Sequence, residues 1–325
     1  MTRVPARPGH SLTVLLDAGA RWMTTSAHAT YGIALMRITF GVGIGGYVAV
    51  NFPARHALWG AGARWTTPLG GQALTGGLVV TVACAALLVV AVLVTLGWRA
   101  RWTVPLLLVG WAGLTSINPL IADQGDNIAR ILLVYLCFAD TSARWSLDAR
   151  RRARCPAGCP ARRRRGRLRN LAHNAAVLAV GAQICLVYVL SGLFKLQGPE
   201  WRDGSAVYYP LLLPQFRPWP ELADLVAGTG WLVAAVTWGT LALQLTFPLL
   251  LLHRHLRTAA VAGAFLMHAG IAVVMGLPFF SLFMMAGDCV FLRDSTVARW
   301  ATRRKPGATQ RSGPEPARVL DRIPG

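Results

Sequence analysis

The chain has 325 residues, 54% hydrophobic and only 14% charged, a balance that excludes an ordinary soluble domain. Its net charge of +20 could serve a nucleic acid, but the arginines lie in short segments between apolar runs and in the tail, which is how cytoplasmic loops of membrane proteins are charged. The expected partner is therefore the lipid bilayer, with no nucleic acid.

Several apolar runs approach the roughly 20 residues a helix needs to cross a bilayer. The expected fold is all-α, a polytopic membrane helix bundle of about eight transmembrane helices, one of them short or re-entrant. Residues 1–30 read as a cytoplasmic arm ending in an interfacial amphipathic helix, with Leu12, Val14, Leu15, Leu16, Trp22 and Met23 on its apolar side. No secretory signal is expected, because the apolar piece Leu12–Leu16 is short and runs into Asp17 and Arg21.

A transmembrane domain follows over 31–293. Its spans are expected at Tyr31–Asn51, Leu74–Trp98, Trp102–Asn118, Asn127–Phe138, Leu171–Lys195, Trp231–Leu252, Thr258–Met275 and Leu277–Leu292. The fourth is too short to cross alone. Between the fourth and fifth lies a basic cytoplasmic loop, 141–170, with Pro156 and Pro160 to break any helix. The loop 196–230 carries five prolines and the aromatics Trp201, Tyr208, Tyr209, Phe216 and Trp219. Residues 294–325 read as a disordered cytoplasmic tail.

Placing the amino terminus inside puts 26 of the 33 basic residues on cytoplasmic segments and only Arg55, Arg64, Arg202 and Arg217 in outside loops. This orientation is strongly favoured. The expected localisation is the plasma membrane, with both termini cytoplasmic and the loop 196–230 extracytoplasmic.

Six cysteines form no disulfide framework: Cys84, Cys137, Cys185 and Cys289 lie in apolar runs as small core residues. Cys155 and Cys159 lack further ligands at zinc spacing, so no metal is expected. An ionised group at membrane depth costs several kcal/mol, roughly 2.5–3.5 near the centre on insertion scales, so each needs a partner or a role. Arg37 and Asp288 stand at similar depths and are expected to form a structural ion pair. Arg130 is expected to join a salt cluster with Asp123 and Asp126. His268, roughly mid-membrane among small residues, reads as a hydrogen-bonded structural group or as a neutral imidazole facing a ligand.

Only two of the 33 basic residues are lysines, Lys195 and Lys305. An arginine keeps its proton in a protein, whereas a desolvated lysine can lose it. Lys195 closes a long apolar helix in YVLSGLFKLQGPEWRDGSAVYY and directly precedes an aromatic, charged segment. It reads either as a snorkelling anchor or as a general base.

That stretch, with GDNIARILLVYLCFADTSARWSLD before it and MHAGIAVVMGLPFFSLFMMAGDCVFL after it, resembles the HTTM domain. This is the membrane domain shared by vitamin K-dependent gamma-carboxylase and bacterial relatives, including the sporulation-delaying toxin-maturation protein. The resemblance covers roughly 15–295 and is carried by K-L-x(3–4)-W, by F-x-D-x(4)-W-S-x-D and by His268 before the last span. It implies that Lys195 is the catalytic base acting on a quinol, that Trp201 and Asp203 shape the outer mouth of its pocket, and that His268 contacts a ligand. Tyr188, at which the stretch begins, and Asp126 and Asn127, where the carboxylase has Asn-Asn-His, are further ligand-binding candidates.

The family's histidine is absent there, and the chain ends soon after its last span, without the carboxylase's large extracytoplasmic domain. Both departures weaken glutamate carboxylation, a lyase-type activity. The implied function is a quinone-dependent peptide- or lipid-modifying enzyme, carboxylase-like or quinol-epoxidising, with a vitamin K-like quinone or hydroquinone as cofactor. The alternative is a non-catalytic membrane partner in the maturation, export or immunity of a secreted peptide. A transporter is disfavoured, since no inverted repeat is visible.

Overall fold

The computed structural model describes residues 8–61, 63, 76–156 and 166–303, and these are helical with no strand among them. The order is α1 Pro8–Thr25, α2 Thr30–Asn51, α3 Arg55–Trp59, α4 Gly77–Leu96, α5 Ala100–Ile117, α6 Gln124–Phe138, α7 Leu147–Arg154 and α8 Arg167–Lys195. Then come α9 Pro199–Asp203, α10 Tyr208–Leu212, α11 Pro220–Ala227, α12 Gly230–Leu252, α13 Leu256–Val274, α14 Pro278–Asp288 and α15 Asp294–Arg303. Five of these (α2, α4, α8, α12 and α13) are long and apolar enough to cross a membrane. α5, α6 and α14 accompany them as shorter or less apolar helices.

Leu78, Val82, Val89, Leu249, Leu252 and Leu266 are exposed on these long helices. Water would penalise such surfaces; a lipid-facing bundle requires them. Half of the apolar window of α2 is buried, against 22–28% in the other four, so α2 is a core helix.

The short α14 divides the bundle. It packs on α2 to one side and on α6, α8 and α13 to the other. The α2 side is dry and aromatic: Tyr47 meets Trp111 and Phe279 edge-on at 5.3 Å each, and Phe283 of α14 lies 5.8 Å from Phe40 and 5.9 Å from Trp111. The other side, bounded by α6, α8, α12 and α13, is hollow.

One end of the bundle is tied by polar groups placed at helix termini. Arg37, fully buried, donates from Nη1 to the carbonyls of Val94 and Thr95 and from Nη2 to that of Trp145. Its cation thus sits on carbonyls of the last turn of α4, where the helix dipole favours positive charge. Gly97 ends α4 at φ 66°, and a Cβ there would run into Arg37 and Ser146, so the position needs glycine twice over. Asp148 accepts from the amides of Arg99 and Ala100 at the start of α5. Asp294 accepts from the amides of Thr30 and Tyr31 at the start of α2.

The expected Arg37–Asp288 ion pair is therefore corrected. Asp288 is equally buried but accepts from Tyr188, on the hollow side of α14. Backbone carbonyls outcompete it for Arg37 because α4 ends beside the guanidinium. The expected Arg130 cluster is corrected too. Asp123 and Asp126 each accept from the other's amide in a capping box that starts α6, and Arg130 reaches Asn127 Oδ1 at 3.4 Å.

The tail also differs from expectation, while the arm carries a helix. α1 is bound to α8: Asn170 donates to the carbonyl of Thr24, and Asn174 to those of Met23 and Ser26. The segment 294–325, expected to be disordered, begins as α15, whose Asp294 caps α2; residues 304–325 lie outside the described residues. The basic loop contains α7, capped by Ser146.

Candidate functional site

α8 carries the two polar groups that matter most, Tyr188 and Lys195, seven residues and so about two turns apart on one face. Facing them is α12, which supplies Gln244 and Phe247. Gly192 lets the two helices close up here, because a Cβ in its place would press on Leu245. Lys195 donates from Nζ to Gln244 Oε1 at 3.1 Å, and its Nζ lies 5.1 Å from the centroid of the Trp201 ring. This nitrogen is thus held between an amide oxygen and an aromatic face.

Two turns deeper, Tyr188 is fully buried with its ring edge-on to Phe247 at 4.6 Å. Its hydroxyl lies 3.1 Å from His268 Nε2 and 2.8 Å from Asp288 Oδ2. Three helices, α8, α13 and α14, therefore meet through one hydroxyl. His268 Nδ1 and Asp288 Oδ1 have no hydrogen-bond partner among the described residues.

Lys195, Gln244, Trp201, Tyr188 and His268 line one cavity of about 1040 Å³, with Asp288 behind them. Its walls are mostly apolar, with Leu243, Leu266, Ile271 and Phe280 among them. Its polar lining includes Lys195, Gln244, Tyr188, His268, Asn127 and Gln183. That size lies at the top of the roughly 300–1,000 Å³ usual for small-molecule sites.

Of the candidates read from the sequence, the structure brings Lys195, Trp201, Tyr188, His268 and Asn127 to this cavity. Asp126 does not line it; it is buried in the α6 cap. Asp203 lies outside, exposed, accepting from Ser205 Oγ at 2.7 Å and from the Ser205 amide at 2.9 Å. These two bonds hold its carboxyl below the usual carboxylate range. Sequence reasoning missed Gln244, although a glutamine inside the apolar run of α12 was a visible signal. It also assigned Asp288 the wrong partner.

No group of three or more metal-ligating side chains occurs among the described residues; Cys155 is described and Cys159 is not.

The HTTM domain profile matches residues 27–295, which takes in every helix of the hollow half. The chain belongs to the HTTM domain family. This HTTM protein is 28% identical over 232 residues to the uncharacterized protein YitO of Bacillus subtilis strain 168, covering 68% of this chain and 69% of that one. No solved structure matches it. The matched region and the apolar helices together make the HTTM protein a multi-pass membrane protein.

Proposed function

We propose that the cavity binds an apolar, ring-headed lipophile of the quinone class, and that Lys195 is the base facing it in an enzyme that modifies a peptide or a lipid. The observation that carries this reading is the convergence of Lys195, Trp201, Asn127, Tyr188 and His268 on one largely apolar space. The residues fit such a group. Apolar walls suit a flat ring and tail, while the unpartnered Nδ1 of His268 and the Lys195 amine are polar contacts for ring oxygens. When bound, a quinol supplies two ionisable hydroxyls and a two-electron oxidation. The chain's own contribution is to exclude water, hold the ring and move a proton at Nζ of Lys195.

The charge distribution supports an orientation with both termini cytoplasmic, in the plasma membrane, and the Lys195 end of the bundle outward. Asn127 in place of the family's histidine supports a chemistry other than glutamate carboxylation. The test is to purify the protein with native lipid and identify what co-purifies by mass spectrometry, with a density map around Lys195 and His268. A ring-headed lipid at that position supports the reading. A cavity filled only by phospholipid chains, in protein that also fails to take up added naphthoquinone, sinks it.

A second reading is favoured by one observation. Tyr208, Tyr209, Trp219, Leu225 and Trp231 are exposed around the segment between α8 and α12, an aromatic face suited to a secreted peptide or a small membrane partner. Under that reading Lys195→Ala is tolerated, while replacing Trp219 and Trp231 by serine abolishes pull-down of the partner.

A further inference from the structure

We propose that Asp288 is a proton acceptor for this cavity, acting through Tyr188 and His268 as a hydrogen-bonded relay. The inference rests on the reading of the cavity as a site for a ring-headed ligand, and it adds a second proton-handling station to Lys195.

The argument starts from one proton. The Tyr188 hydroxyl has a single hydrogen and two acceptors in reach, His268 Nε2 at 3.1 Å and Asp288 Oδ2 at 2.8 Å. When the Asp288 carboxylate takes that hydrogen, His268 satisfies the tyrosine oxygen only by presenting Nε2–H. Its Nδ1 is then a bare lone pair. That nitrogen is the one left without a partner among the described residues, on a side chain that lines the cavity. A ligand hydroxyl donating to Nδ1 completes the chain.

The transfer balances. The ligand O–H bond breaks and Nδ1–H forms; the Nε2 proton passes to the tyrosine oxygen, and the tyrosine's own proton passes to Asp288 Oδ2. No electrons are exchanged. Imidazole and phenol end as neutral as they began, and one negative charge moves from Asp288 to the ligand oxygen. Asp288 is fully buried and, among the described residues, has no cation bonded to it and no partner for Oδ1, because Arg37 is committed to α4. Protonation removes a buried charge that nothing else neutralises. Lys195 lies about 10 Å further along α8, seven residues at about 1.5 Å each. It is therefore placed for the opposite side of a ring-sized occupant.

The experiment uses the full chain in nanodiscs with 4-nitro-1-naphthol, a flat phenol whose anion is coloured, and its methyl ether, which has no proton to give. Visible titration reports binding and deprotonation, and infrared difference spectra report the carboxyl. The naphthol is expected to bring up the coloured anion together with the carbonyl-stretch band of a protonated carboxyl. The ether is expected to bind with neither signal. Asp288→Asn and Tyr188→Phe are expected to lose the carboxyl band per naphthol bound, the amount bound being read from each variant's own titration. Bound naphthol without that band in the natural protein overturns the relay while leaving the ligand site intact, and so does a band that survives Tyr188→Phe. If neither compound binds, the ligand reading fails and the relay fails with it. Should Asp288→Asn not fold, Tyr188→Phe decides alone, since it keeps the ring on Phe247 and removes only the hydroxyl.

Discussion

Lys195 Nζ lies 3.1 Å from Gln244 Oε1, which ties the end of α8 to the middle of α12 in the wall of the cavity. The bond orients a flexible four-carbon side chain that would otherwise lift its ammonium along the helix end. Replacing Gln244 by leucine keeps the volume and removes the acceptor. Hydrogen bonds to charged groups contribute about 1.5–3 kcal/mol, so affinity for a ring-headed ligand should fall by about tenfold or more. Naphthoquinone titration of the purified variant checks this.

Lys195→Arg separates charge from proton transfer. Arginine keeps the cation and can still face Trp201, but it does not give up its proton. Under the proposed chemistry the variant binds ligand and loses turnover, as Lys195→Ala does. Full activity of the arginine variant, with loss in the alanine variant, would mean that only the charge matters.

Arg37 and Asp288 are both fully buried and do not pair. Arg37→Met takes the Arg37 donor from the carbonyls of Thr95 and Trp145, while that of Val94 keeps the Gly97 amide, and should cost roughly 3 kcal/mol of stability. Combined with Asp288→Asn, its effect should be additive within about 0.5 kcal/mol, as for groups that share no partner. A denaturant double-mutant cycle in mild detergent measures this. Coupling of several kcal/mol would restore the ion pair.

Asp203 gives a pH dependence whose sign is fixed by its bonds to Ser205. Its carboxyl is held low in the folded loop, so the contribution is complete above the ordinary carboxylate value and is lost as pH falls through the depressed one. The turn between α9 and α10 should therefore loosen only in acid, and Asp203→Asn should abolish that transition. The indole of Trp238, which donates to the Arg202 carbonyl, is a fluorescent reporter beside it. A transition centred at neutral pH would exclude Asp203 as its source.

The arm is held by amide side chains and not by apolar contact alone. Asn174→Ala removes donors to the carbonyls of Met23 and Ser26 and the acceptor of the His28 amide. Hydrogen exchange in the last turn of α1 should rise well above that of the intact protein, while α12 and α13 stay protected. Unchanged exchange in α1 would show that lipid, not Asn174, holds it.

The helices were legible because their apolar runs are long and their stops are written in Gly and Pro; Gly97 ends α4 and Pro199 opens α9. Lys195 and His268 stood out because a polar group in an apolar run is conspicuous. Partner choice was not legible. Arg37 had two kinds of acceptor within reach of its depth, and only the arrangement of α4 against α2 decides for carbonyls. Asp126 and Asp203 stand apart from the cavity lining for a simpler reason: D-x-x-D and D-x-S are local hydrogen-bonding patterns, and local bonds hold both carboxylates. The helix α15 was hidden by its charge.

α14 is eleven residues long, near 16 Å at about 1.5 Å per residue, and so falls short of the bilayer it sits in. It acts as a party wall: one room is furnished solid with aromatic rings, the other is left habitable. Substitutions on α12 and α13 can therefore retune what the open room admits without disturbing the masonry behind it. A lineage changing its guest would be expected to rewrite Leu243, Leu266 and Ile271 long before it touched Tyr47 or Trp111.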